Sequence, residues 1–337
     1  MPMHFDGFYL VDKPKDWTSF DVCARLRKQF QIKKVGHTGT LDPFATGLLV
    51  VAVGKCTRLI PFLEKARKTY RTKIVFGKES PTHDPESEVS DTWPTFEKQF
   101  PTKSEVEAIL SEQFTGKISQ TPPQFSAIKI AGKKSCDLAR RGEKVDLKPR
   151  ATEVFRAEIL EYDYPDLILE LEVAAGFYVR ALARDLGKKV AGGGICSELR
   201  RTHVGTLSVQ DALPPEACAE PIDPKFILTS LPQVEIPTGR TQDFIAGRAF
   251  DWSGMEGDKL LVLIGGKTMG LGEIRAGKLQ PRVVLGKLQI ANNRLQVGRA
   301  MEEVFRYFCG LRRISIISKG AHSSEGSDRI GRKPFLR

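Results

Sequence analysis

The stretch Gly36–Leu49, Gly-His-Thr-Gly-Thr-Leu-Asp-Pro-Phe-Ala-Thr-Gly-Leu-Leu, constrains this chain more than any other. Gly36, Gly39, Pro43 and Gly47 fall within twelve residues, so the backbone there turns tightly. Leu48–Val53 follows at once, a short unbroken apolar run that reads as a buried strand. One acid, Asp42, stands in the loop, and the next along the chain is Glu64. A carboxylate set against a core needs a partner or a purpose, because burying a charge is costly. Pro43 disfavours helical geometry at Asp42 and holds it extended. On local grounds alone, an acid in such a loop is equally a turn residue or a helix cap.

The 337 residues are enough for a well-buried core and fit two domains. Lys and Arg number 52 against 41 Asp and Glu, a formal net charge of +11 that suits a polyanionic partner. An anionic membrane is the other candidate, but there is no basic amphipathic helix with a bulky apolar face to support it. No apolar run reaches spanning length. Cysteines at 23, 56, 136, 196, 218 and 309 are scattered singly, without the CxxC or Cys/His spacing of a zinc site. No metal or other cofactor is expected, and the thiols are expected to be reduced, as in a cytoplasmic protein. The N-terminus has neither the basic nor the apolar region of a signal peptide.

Residues 6–14 read as a strand ending in a turn. Thr18 with Asp21 forms a capping-box pattern, and Phe20, Cys23, Leu26 and Phe30 recur at helical spacing behind it. Lys68–Gly77 alternates, placing Tyr70, Thr72, Ile74 and Phe76 on one face of a strand. Base rates make such a tyrosine a core or rim residue. Ser80–Asp91 is polar and reads as a surface loop. Thr102 and Glu105 cap a helix with Val106, Ile109, Leu110 and Phe114 on one face. Leu167, Leu169, Leu171 and Val173 alternate on a strand that runs through Gly176 into a helix carrying Arg180. A Pro-rich stretch begins at Leu213, and Asp223 caps a short helix from Pro224. From about Gln233, short apolar segments separated by glycines suggest a small β barrel or sandwich.

Several of these strings resemble one family. Gly-His-Thr-Gly-Thr-Leu-Asp-Pro-x-Ala-Thr-Gly-Leu-Leu is similar, without gaps, to the active-site motif of the TruB-type pseudouridine synthases, which isomerise uridine 55 in the T loop of tRNA. Leu-Val-Asp-Lys-Pro around Lys13 and Pro14, Lys-x-Tyr at Tyr70, Gly-x-Tyr-x-Arg at Tyr178 and Arg180, and Leu-Arg-Arg at Leu199 also resemble the family's motifs. So does Pro-Pro-x-x-Ser-Ala-x-Lys-x-x-Gly-Lys, in a thumb inserted at about 120–150. The sequence departs from the pattern at Phe125, Ser135 and Cys136 in the thumb, where tyrosine and a Leu-Tyr pair are expected. It departs again at Thr82-His-Asp-Pro-Glu-Ser87, where a glycine is expected at the end.

The resemblance implies an α+β pseudouridine synthase fold, a mixed, largely antiparallel sheet with helices and a central cleft. It places a catalytic domain at 1–212 and a small PUA-like β domain at 233–312, and composition sets a linker at 213–232 and a disordered tail at 313–337. Asp42 would be catalytic, attacking base or sugar or abstracting a ribose proton. His37, Tyr70, Tyr178, Arg180 and Leu199 would hold the substrate, with Tyr70 stacking on the flipped uracil and Tyr178 and Arg180 organising Asp42 and the ring. Lys13 and Pro14 would be structural, and Arg200 or Arg201 would contact RNA or the core. The implied partner is the tRNA T stem-loop. No guide RNA or obligate protein partner is expected, and the protein would act as a monomer. Because every site residue precedes the linker, the cleft is expected to be complete without the C-terminal part. Two other classes fit parts of this pattern: an RNA-binding protein without chemistry, and the guide-RNA-dependent branch of the superfamily.

Overall fold

The structure is a computed structural model that describes residues 5–92, 100–126, 128–130, 132–143, 146–254 and 256–286. The expected tail, the end of the expected C-terminal β region from residue 287, and Cys309 lie outside the described residues.

In chain order the strands begin with β1 (Gly7–Lys13), β2 (Val35–His37), β3 (Thr46–Val53) and β4 (Lys68–Phe76). A small ribbon pairs β5 (Lys78–Glu79) with β6 (Ser90–Asp91). Then come β7 (Gly116–Gln120), the hairpin of β8 (Lys129–Ile130) with β9 (Lys133–Lys134), β10 (Arg150–Asp163), β11 (Asp166–Val173), β12 (Gly194–Val204) and β13 (Leu207–Ser208). The helices among them are α1 (Ser19–Phe30), α2 (Lys103–Phe114), α3 (Ser135–Arg140) and α4 (Val179–Val190). Nine strands form one sheet in the order β1-β3-β12-β4-β11-β10-β7, with β2 on β3 and β13 on β12.

β1 and β3 show why Leu48–Val53 is unbroken in its apolarity. Their residues sort alternately into two cores: Tyr9, Val11, Leu49 and Val51 on one face, Phe8, Leu10, Leu48 and Val50 on the other. A strand buried on both faces has no polar side to show. On the first face lie α1, α2 and α4. Both capping boxes are formed, Thr18 with Asp21 and Thr102 with Glu105. The buried stripe of α1 is Val22, Cys23, Leu26 and Phe30; Phe20, expected on it, is exposed, with the Arg27 guanidinium 5.7 Å from its ring centre. At 100° per residue Phe20 points about 100° away from the centre of that stripe, and Val22 joins it instead.

All pairings in the large sheet are antiparallel except one. β12 runs parallel to β3 over Arg200↔Thr46 and Arg201↔Gly47. Gly47 adopts φ +100°, and a Cβ there would stand 2.3 Å from the Arg201 carbonyl oxygen, so only glycine permits this close approach. The Asp42 loop enters β3 just before this junction.

The Pro-rich stretch is not a free tether. Leu213 and Ile222 exchange backbone hydrogen bonds with β1 at Leu10, Asp12 and Phe8, which covers the outer edge of that strand. Asp223 caps α5 (Pro224–Ile227) as expected. A second sheet of five strands follows, β14 (Gln233–Glu235), β15 (Phe250–Asp251), β16 (Gly257–Ile264), β17 (Lys267–Arg275) and β18 (Lys278–Val284), in the order β14-β16-β17-β18-β15. Its Leu261, Leu263 and Leu271, with Leu285, join the same buried cluster as Phe8, Leu10, Leu48 and Val50. The two sheets thus share a core.

Candidate active site

Asp42 sits in the loop between β2 and β3, and the loop's backbone is fastened on several sides. Leu41 N donates to Ser19 Oγ at 2.9 Å, and that hydroxyl donates to Leu41 O at 3.2 Å. The Pro43 carbonyl accepts from Lys13 Nζ at 3.1 Å and from Asp16 N at 2.9 Å. Lys13 is fully buried and also donates to the carbonyls of Pro14 and Trp17. Burial pushes its ammonium pKa down to about 8, against the pull of Asp42 and other acids nearby. Lys13 is therefore a structural clamp on the loop.

Arg180 reaches the loop from the first turn of α4. Its Nε donates to Asp42 Oδ2 at 2.9 Å and its Nη2 to Oδ1 at 3.1 Å, the bidentate geometry a guanidinium makes with a carboxylate. Nη1 donates to Thr82 O at 2.7 Å and Nη2 to Phe125 O at 2.9 Å. Asp84 Oδ2, which takes part in no hydrogen bond, lies 3.1 Å from Nη1 as an ion pair. The side chains of Arg180 and Asp84 are 5% and 1% exposed, that of Asp42 31%. Burial opposes the Arg180 charge, but Asp42 and Asp84 outweigh it and hold its pKa above the usual value. Burial raises the Asp84 pKa, opposed by hydrogen bonds from Thr82 and by Arg180. Asp42 is thus gripped from the buried side and open on the other.

Three further groups shape the surroundings. Gln120, at the end of β7, brackets Tyr178: its Nε2 donates to Tyr178 O at 3.0 Å, and Tyr178 N donates to its Oε1 at 2.9 Å. This fixes the entry to α4, which lacks a side-chain cap of its own. Ser87, standing where a glycine was expected, uses its hydroxyl to close the turn, accepting from Thr82 N at 3.2 Å and lying 2.7 Å from Thr82 Oγ1. Glu86 accepts from Phe44 N at 2.9 Å.

A cavity of about 290 Å³ opens over Asp42, at the small end of the range for ligand pockets. Asp42, Tyr70, Tyr178, Arg180 and Leu199 all line it, so residues spread over 158 positions converge on one space. Lys68 lines it too, donating to Glu64 O at 2.6 Å, and burial brings its pKa down to about 8. His37 does not line the cavity. It lies on β2, its Nδ1 accepting from Gly39 N at 3.3 Å, and burial followed by the charge of Arg201 lowers its pKa. The two arginines after Leu199 part ways. Arg201 is buried, donating to Leu48 O at 2.7 Å and Gly39 O at 3.2 Å, while Arg200 makes a bidentate pair with Asp12. Asp84, Glu86 and Gln120 are the residues sequence reasoning missed. Their only signal was the Thr82–Ser87 string and the start of the thumb, neither of which indicates what they touch.

The arrangement offers a carboxylate held in one orientation beside an aromatic ring, in a space open to one small planar group. The fold is that of a pseudouridine synthase. The chain aligns with a structure of an H/ACA RNP bound to a substrate RNA containing 2'-deoxyuridine, with a TM-score of 0.59 and 20% identity over 84% of this chain and 86% of that one. It aligns with a Cbf5-Nop10-Gar1 complex at a TM-score of 0.56 and 23% identity, over 85% and 82%. Residues 27–179 match the TruB family pseudouridylate synthase N-terminal domain. The tRNA pseudouridine synthase B of Trichormus variabilis is 38% identical over 291 residues, 82% of this chain and 98% of that protein. That of Aquifex aeolicus is 36% identical over 296 residues, 83% and 99%. The chain belongs to the TruB family of pseudouridine synthases.

Proposed function

We propose that this chain converts uridine 55 in the T loop of tRNA to pseudouridine, as a cytoplasmic monomer that needs no guide RNA, protein partner or cofactor. The observation that carries this is the bidentate Asp42–Arg180 pair in a cavity shared with Tyr70, Tyr178 and Leu199, in a chain similar along most of its length to proteins named for action on tRNA. The net charge of +11 supports a polyanionic substrate.

The reaction is an isomerisation. The bond from uracil N1 to the ribose breaks, the ring turns, its C5 bonds to the same ribose carbon and loses its proton, and N1 gains one. Neither oxidation nor phosphoryl transfer is involved. The base of a folded loop is reached by flipping it out of the stack. Tyr70 supplies a ring face for the extruded uracil, and Leu199 an apolar contact. Asp42 is the reacting carboxylate. Arg180 keeps it aimed, holding both carboxylate oxygens in a two-point fork. His37, outside the cavity, serves the displaced part of the loop rather than the base. Residues 1–212 act as the catalytic domain, with a thumb at about 120–150 closing over the loop, and 233–312 as a PUA-like domain gripping the tRNA backbone. Incubating the pure protein with an unmodified tRNA transcript and mapping pseudouridine tests this: modification at position 55 alone is expected. Modification elsewhere, or a requirement for an added RNA, would overturn it.

A further inference from the structure

The contacts around Asp42 form a closed ring, and one member has no role assigned so far. Starting from Asp42, the carboxylate is held by Arg180, and Arg180 Nη1 faces Asp84 at 3.1 Å. Asp84 Oδ1 accepts from Glu86 N at 3.0 Å. Glu86 Oε1 then accepts from Phe44 N at 2.9 Å, two residues beyond Asp42. Pro43 has no N–H, so Phe44 N is the first backbone donor after Asp42 through which the loop can be tied.

We infer that Glu86 is a positioning residue for the reaction: through Phe44 N it fixes the loop just C-terminal to Asp42. This rests on Asp42 being the reacting carboxylate. Ser19 holds Leu41, Lys13 and Asp16 N hold the Pro43 carbonyl, and Ala45 N closes the turn onto Asp42 O at 3.1 Å; Glu86 adds a side-chain tie to this turn from the 80–92 loop. Without Glu86 the turn keeps its buried Phe44 and Ala45 but loses its tie to the loop that carries Asp84, and Asp42 is aimed less tightly against the Arg180 fork. The charges facing Glu86 are Asp84 and Asp42, which disfavour its ionisation, and Arg180, which favours it; Lys13 on β1 is close enough to feel it. Burial, the largest influence, lifts its pKa above the usual carboxylate value. Three carboxylates thus crowd one guanidinium, and Glu86 contributes both a hydrogen-bond acceptor and one of those charges.

Glu86→Ala and Glu86→Gln separate the two contributions. The readout is total pseudouridine formed from tRNA transcript, with kcat and KM measured across pH and Asp42→Asn run alongside. A misplacement of the reacting group by about 1 Å costs about 100-fold, so Glu86→Ala is expected to lose kcat on that order with little change in KM. Glu86→Gln keeps an acceptor for Phe44 N and is expected to recover most of that loss. A structural role alone would raise KM or lower the amount of folded enzyme and would not give a kcat loss that the conservative variant restores. Wild-type kcat in Glu86→Ala, or equal loss in Ala and Gln, would each overturn the inference. If Glu86→Ala fails to fold, Glu86→Asp decides, because it keeps the carboxylate but is one methylene short of Phe44 N: a lowered kcat is expected, and a wild-type kcat would overturn the inference. An active Asp42→Asn would instead contradict the role of Asp42, so the two failures are distinct.

Discussion

Arg180 holds both carboxylate oxygens of Asp42, with Nε 2.9 Å from Oδ2 and Nη2 3.1 Å from Oδ1, while the rest of the same guanidinium faces Asp84 and two backbone carbonyls. A lysine could supply the charge but not this fork, because its ammonium is a single point with freely rotating donors. Arg180→Lys is therefore expected to bind tRNA and lose most turnover. Arg180→Ala leaves Asp84 buried and unpaired, and removing one partner of a buried pair costs about 3–5 kcal/mol. Urea unfolding of Arg180→Ala checks this; a midpoint equal to wild type would show that Asp84 is satisfied without it.

Tyr70 is nearly buried on β4 and lines the cavity. Tyr70→Leu removes a stacking surface worth about 1–3 kcal/mol per base and is expected to weaken binding accordingly. Tyr70→Phe keeps the ring and loses the hydroxyl, so it is expected to bind normally and turn over slowly. Single-turnover rates at saturating enzyme distinguish the two; a wild-type rate in Tyr70→Phe would remove the hydroxyl from the mechanism.

His83 gives the fold a measurable weakness in acid. Burial first, then Arg184, Arg180 and Lys188, push its pKa down to about 4. In the unfolded chain it titrates at about 6.5. Between those values the unfolded state binds the proton and the folded state does not, so stability falls as pH drops from about 6.5 to about 4, by up to about 3 kcal/mol. His83 has φ +59°, a backbone that asparagine tolerates. His83→Asn is expected to lose less stability than wild type across that window, and equal losses would refute the assignment.

The shared core bears on how the chain can be cut. Ending it near Thr229 removes Leu261, Leu263, Leu271 and Leu285 from the cluster around Phe8, Leu10, Leu48 and Val50. Each fully buried leucine contributes about 1.5–3 kcal/mol, and the sum rivals the whole stability of an ordinary domain, about 5–15 kcal/mol. The truncated chain is expected to be largely unfolded by circular dichroism at ambient temperature. A cooperative unfolding transition at the wild-type midpoint would show that the first sheet stands alone.

These features differ in how far the sequence revealed them. Asp42 was legible because its signal is local: a dozen consecutive residues specify a loop and the strand behind it. Capping boxes at Thr18 and Thr102 and the alternation of β4 and β11 were legible for the same reason, since each pattern is complete within a few turns or residues. Tyr178, Arg180 and Leu199 came from matched strings, which implied that Arg180 organises Asp42 but not the two-point fork it makes with that carboxylate 138 positions before it. Asp84 and Glu86 were invisible as partners because burial and pairing arise only when the 80–92 loop folds back onto α4 and the Asp42 loop. The Pro-rich composition of Leu213–Pro224 suggested a tether, whereas its backbone pairs with the edge of β1. Composition reports local stiffness and does not report which free strand edge lies nearby.

Asp42→Asn tests the account most directly. Asparagine keeps the shape and removes the charge, leaving Arg180, Asp84 and the loop fastenings in place. The measurement is pseudouridine formed at position 55 of an unmodified tRNA transcript by the pure variant, with tRNA affinity measured in parallel. The account predicts no detectable pseudouridine and an affinity near that of wild type; substantial pseudouridine from the pure Asp42→Asn protein would contradict it.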